Sequence, residues 1–140
     1  MSQENVEVLR RANEAFNRGD VEGVLACCHD DVEIEDLNNA PDLPPIVRGK
    51  DTARQVFAAW VTAFEDFVGE IEEYIDIDER YVACLVHYRG KAQGLEVDVR
   101  AVDLWEVHGS KLVRGTLGFP NRKQALAAVG LSEQDAHADS

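Results

Sequence analysis

The stretch Glu96-Val-Asp-Val-Arg-Ala-Val-Asp-Leu-Trp-Glu-Val107 is where the fold of this chain is decided. Its residues alternate in character, the period of a strand with one wet and one dry face. Glu96, Asp98, Arg100, Val102, Leu104 and Glu106 share the outward phase, and Val97, Val99, Ala101, Asp103, Trp105 and Val107 the inward phase. Every inward residue but Asp103 is uncharged. A carboxylate in an apolar layer is costly unless it is paired, hydrogen-bonded or protonated, and an arrangement that costs stability marks function. The alternatives are a backbone partner, an arginine such as Arg114, or a bulge that turns Asp103 outward.

Outward from this strand, similar patterns predict neighbours at residues 67–76, 81–88 and 111–119, with tight turns at Asp78-Glu79 and His108-Gly109-Ser110. On the N-terminal side the apolar period changes to that of helices. Val6, Leu9, Ala12, Ala15 and Phe16 lie on one face of a helix at about 3–18, which Gly19 stops and Asp20 restarts as an N-cap. Val21, Val24, Leu25 and Cys28 face inward from a short second helix, and His29-Asp30-Asp31 reads as a turn. Ala53, Val56, Phe57, Trp60, Val61 and Phe64 form the buried face of a third helix at about 50–64. Between them lie a strand at 32–36 and a proline-rich loop at 37–47, placed as a rim or lid. A last helix is expected at about 122–128, ending at Gly130.

This order implies an α+β fold, a cone-shaped, curved antiparallel sheet wrapped around N-terminal helices, with helices on one face. Curvature leaves a cavity at the wide end, the place for a small ligand. One domain is expected over residues 1–131, with 132–140 a frayed, disordered tail.

Composition narrows the function. The formal charge of −13, with no Lys/Arg cluster to offset it, excludes nucleic acid as a partner. No apolar run is long enough for a membrane span and no secretory leader precedes the first helix, so a cytoplasmic protein is expected. Cys27, Cys28 and Cys84 show no disulfide framework or metal spacing and read as buried thiols in a reducing compartment. The scattered histidines imply no metal site, and nothing implies an organic cofactor.

Asp36 repeats the pattern of Asp103, facing inward at the end of the first strand, just before the long loop. Two carboxylates in one cavity split their pKa values, one serving as base and one as protonated donor, an arrangement suited to enolisation. The alternative for Asp36 is an Asx turn that opens the loop. His87 falls in the phase of Tyr81, Ala83 and Leu85, on the outer face, whereas Tyr88 shares the inner phase of Val82, Cys84 and Val86. Trp60, Trp105 and Tyr88 are candidates either for pocket lining or for core packing.

Several segments together resemble the nuclear transport factor 2-like superfamily and, within it, the SnoaL-like domains. They are Glu14-Ala-Phe-Asn-Arg-Gly-Asp20, Asp30-Asp-Val-Glu33, Arg48-Gly49, Val102-Asp-Leu-Trp105, Lys111-Leu-Val-Arg114 and Gln124-Ala-Leu-Ala-Ala-Val-Gly-Leu131. The resemblance spans about residues 5–131. It implies that Asp103 matches the acid/base aspartate of the polyketide cyclases and the oxyanion-hole aspartate of the ketosteroid isomerases. It puts Asp36 at the isomerases' general base. The isomerases' helix-one tyrosine corresponds to Ala12, and a supporting tyrosine on helix three to Phe57, so steroid isomerase chemistry lacks one of its donors here.

The expected function is acid/base proton transfer on a small, apolar carbonyl compound. Asp103 and Asp36 are the candidate catalytic groups, and Ala12, Phe16, Phe57, Trp60, Tyr88 and Trp105 the candidate lining. Outward Val102 and Leu104 suggest a homodimer. The alternative is a non-catalytic ligand-binding or dimerisation module of the same fold.

Overall fold

The computed structural model describes residues 2–37, 46–92, 94–131 and 137–139. Helices α1 (Ser2–Asn17) and α2 (Val21–Ala26) lead into strand β1 (Cys28–Asp36), short β2 (Ile46–Arg48) and helix α3 (Lys50–Ala63). Strands β3 (Phe64–Asp76), β4 (Tyr81–Ala92), β5 (Leu95–His108) and β6 (Lys111–Phe119) follow, then helix α4 (Arg122–Ala127) and a short β7 (His137–Asp139). One curved, unclosed sheet holds the strands of the described residues in the order β2-β1-β6-β5-β4-β3-β7. Its pairs are antiparallel except β1 with β6, which run parallel.

The break between α1 and α2 is local chemistry. Gly19 takes φ +73°, and the Asp20 carboxylate accepts from the Gly23 N–H at 2.9 Å, capping α2. The turn expected at His29-Asp30-Asp31 is instead part of β1. Cys28 pairs with Leu112, and the register shifts before Glu33 pairs with Arg114, so the polar triplet fills an irregular section of a parallel ladder. Part of the expected loop is also strand, because Ile46–Arg48 pair with Glu33, Ile34 and Glu35. Residues 38–45, the body of the expected lid, lie outside the described residues.

Two apolar cores sit on opposite faces of the sheet. The inner one joins α1, α2 and α3 to inward residues such as Val82, Cys84, Val86, Trp105 and Val107. The outer one joins Ala125 and Leu126 of α4 to Ala83, Val102, Leu104 and Phe119. Helices therefore cover both faces, not one. Val102 and Leu104 do point outward, but they are 3% and 5% exposed beneath α4, which removes them as the basis of a homodimer. A strand buried on both faces cannot signal by alternation alone which apolar face awaits a partner.

The edge of β3 is closed in two ways. At Gly69 the side chains of Asn13 and Asn17 both donate to the carbonyl at 3.0 Å, and the Gly69 N–H donates to Asn17 Oδ1 at 2.9 Å. These bonds satisfy backbone groups that an edge strand leaves open and fix α1 across the sheet. Further along, His137–Asp139 pair with Tyr74, Ile75 and Asp76, where a frayed tail is expected from the sequence. The open backbone of β3 supplies the partners for that pairing.

Candidate active site

Asp103 is 2% exposed on the inner face of β5. Its Oδ1 accepts from the Gly118 N–H at 2.9 Å, and its Oδ2 accepts from the Tyr88 hydroxyl. The Gly118 bond arises from a register shift between Val102 and Leu104, which turns a β6 backbone N–H toward the carboxylate; Gly118 takes φ +96° there. Arg114, the alternative partner, pairs with Glu33 instead. Burial pushes the Asp103 carboxyl up to about 6, against the opposing pull of the Tyr88 and Gly118 hydrogen bonds, and the charge of Asp36 adds to the rise. Burial and the Asp103 charge hold the Tyr88 hydroxyl well above its ordinary range, so it remains a donor at neutral pH.

A cavity of about 80 Å³ opens beside this pair. Its lining includes Ala12, Asn13 and Phe16 from α1, Phe57 and Trp60 from α3, and Tyr88, Asp103 and Trp105 from the sheet. Two glycines make room for flat rings. A Cβ on Gly69 would stand 3.0 Å from the Tyr88 ring, and one on Gly115 would stand 2.5 Å from the Trp105 ring. Both indole and phenol therefore lie against bare backbone. In β-sheets a glycine opposite an aromatic ring is the signal that finds such a site.

Asp103, Ala12, Phe16, Phe57, Trp60, Tyr88 and Trp105 come together around this cavity. Asp36 does not line it. It is half-buried at the end of β1 beside Leu117, and β6 stands between it and β5. Strand spacing puts the two backbones about 10 Å apart. Asp36 nonetheless raises Asp103 through its charge. Tyr88 as direct partner of Asp103, and Asn13 in the lining, were not legible as such from the sequence. The helix pattern also overstated burial: of the α3 face only Ala53 is fully buried, while Val56, Phe57 and Trp60 are half-buried and Val61 is 42% exposed. An apolar helix face left incompletely covered is what a cavity wall looks like.

His87 lies on the outer face, where Nε2 meets Asp98 Oδ1 at 2.6 Å and Nδ1 lies 3.4 Å from Arg100. Glu70, Glu72 and His87 bring ligand-type atoms within 4.8 Å of one another. Each is already engaged, Glu70 with Arg89, Glu72 with Arg100 and His87 with Asp98. The cluster is an ion-pair network on the sheet surface. The thiols are free; burial pushes Cys28 up to about 12 and Cys84 well above its ordinary value, which leaves both unreactive. No helix among the described residues is long and apolar enough to cross a membrane.

Residues 9–115 match the family model of the SnoaL-like domain. No curated protein matches the chain in sequence. Among solved structures, TerC co-crystallised with polyporic acid is similar, with TM-score 0.74 and 20% identity over 83% of this chain and 91% of that one. Bal32a, from a soil-derived mobile gene cassette, gives TM-score 0.76 and 16% identity over 83% and 88%. A Mycobacterium tuberculosis protein in complex with estradiol-17β-hemisuccinate gives TM-score 0.71 and 19% identity over 81% and 92%. At these identities the likeness is one of fold.

Proposed function

This chain belongs to the SnoaL-like domain family, and on that premise we propose that it is an acid/base enzyme that enolises a small, uncharged carbonyl compound. The observation that carries this is Asp103, buried at an apolar cavity and bonded to a tyrosine hydroxyl. With its carboxyl raised to about 6, Asp103 is ionised at neutral pH and is a stronger base than a solvated aspartate.

In the proposed step the C–H bond next to the carbonyl breaks and its proton passes to Asp103. The electron pair moves onto the carbonyl oxygen as an enolate. Neutralising Asp103 weakens its hold on the Tyr88 hydroxyl at the moment the oxygen gains charge. Tyr88 then donates to the oxyanion, and Asp103 returns its proton to the product carbon. Asn13 spends one of its two amide hydrogens on the Gly69 carbonyl. Asp36 acts from behind β6, where its charge keeps Asp103 basic. Two neighbours of the same fold are crystallised with polyporic acid and with estradiol-17β-hemisuccinate, which supports a small organic molecule as the ligand.

The test is deuterium uptake at the α-carbons of a panel of cyclic ketones and diketones in heavy water, followed by NMR. Wild type is expected to catalyse uptake for at least one, and Asp103→Asn to lose about 100-fold or more. No uptake above buffer across the panel, or an unchanged rate in Asp103→Asn, sinks the enzymatic reading. A non-catalytic binding module then takes its place, a second reading favoured by the small volume of the cavity.

A further inference from the structure

A wall of rings stands between the Asp103 cavity and a second concavity. Phe16 meets Trp60 at 6.4 Å and Phe67 at 5.8 Å, both edge to face, and Trp60 meets Phe67 at 6.5 Å. Phe67 also stacks on the Tyr88 ring at 5.7 Å. Beyond the wall lies a cleft of about 220 Å³ whose apolar lining is Phe16, Trp60, Val61, Phe64 and Phe67. Phe16 and Trp60 belong to both spaces.

Size makes the inner space insufficient by itself. About 80 Å³ is less than the roughly 150 Å³ that accepts one benzene ring. Joined to the outer cleft, it reaches the roughly 300 Å³ at which small-molecule sites begin. The wall sits at an irregular part of β3. Phe67 lies between Glu65 and Val68, where the β3–β4 register shifts, and the adjoining Asp66 takes φ +53°.

Building on the role proposed for Asp103, we infer that the outer cleft is a second ligand subsite, holding the distal apolar ring of an elongated, uncharged substrate whose reactive end reaches Asp103. Its aromatic walls favour a flat ring. Its lining carries one charge of each sign, Arg18 and Asp66, and so selects no net charge. A charged head group is excluded from the inner end by apolar walls, and an anionic one also by the Asp103 carboxylate.

The test compares phenol with 4-phenylphenol by titration calorimetry on wild type, Val61→Trp and Asp103→Asn. Both probes offer a hydroxyl to the carboxylate, and only the second has a distal ring. Wild type is expected to bind 4-phenylphenol at least about tenfold tighter. Val61→Trp fills the cleft from an exposed position, so it is expected to abolish that preference. Equal affinities in wild type, no binding of 4-phenylphenol, or an intact preference in Val61→Trp overturns the subsite. Asp103→Asn is expected to weaken both probes equally. If it weakens neither while the Val61→Trp result holds, the subsite stands and the role of Asp103 falls.

Discussion

Tyr88 pairs across the sheet with Val99, yet its hydroxyl donates to Asp103, which pairs with Cys84. The ring must lean along the strand to make that bond. Three neighbours permit it: Gly69 offers bare backbone beneath the ring, Phe67 stacks on it, and Ala101 is the small residue between Val99 and Asp103 on the same face. The bond thus couples the Asp103 carboxyl to the ring wall of the cavity.

Tyr88→Phe removes a hydrogen bond that holds the Asp103 carboxyl down. Its titration, followed through the carboxyl carbon by NMR, should move upward from about 6. A downward or absent shift would mean that the tyrosine does not donate to the ionised carboxylate.

The raised carboxyl predicts how stability depends on pH. Folding lifts Asp103 from 3.8 to about 6, so between these values the folded state holds a proton that the unfolded state has lost. Asp103 therefore costs no stability below about pH 4, and its cost grows as pH rises from about 4 and levels off above about 6. A shift of about two units corresponds to about 3 kcal/mol. Urea titrations should show Asp103→Asn gaining on wild type from pH 4 to pH 7, by up to that amount. A constant difference would contradict a buried, titrating Asp103.

Asp36→Asn removes a charge that raises Asp103 from across β6. The Asp103 titration should move downward, opposite in sign to the Tyr88→Phe effect. If it stays in place, Asp36 is electrostatically separate and has no part in setting the Asp103 titration.

Gly115→Ala would push a methyl group to 2.5 Å from the Trp105 ring, and Gly69→Ala one to 3.0 Å from the Tyr88 ring. Overpacking of this kind costs about 1–3 kcal/mol. Chemical denaturation should place Gly115→Ala at the high end. Gly69→Ala should also perturb the Asp103 titration, because it displaces that residue's donor. Two neutral substitutions would show that the rings do not lie flat on these glycines.

Much of the fold was legible because its signals are local. A period of two placed Asp103 on the inner face of β5, a period near four marked the helical faces, and Gly19-Asp20 split the first helix from the second. Those same periods brought Ala12, Phe16, Phe57, Trp60, Tyr88 and Trp105 within reach of one cavity. Alternation tells which face a side chain takes, but not what lies against that face. Only the tertiary structure decided that α4 covers Val102 and Leu104, that β6 stands between Asp36 and Asp103, and that Tyr88 leans to meet a carboxylate it does not pair with. These outcomes depend on strand order, register shifts and the missing side chains of Gly69 and Gly115, which are contacts between residues far apart in the chain.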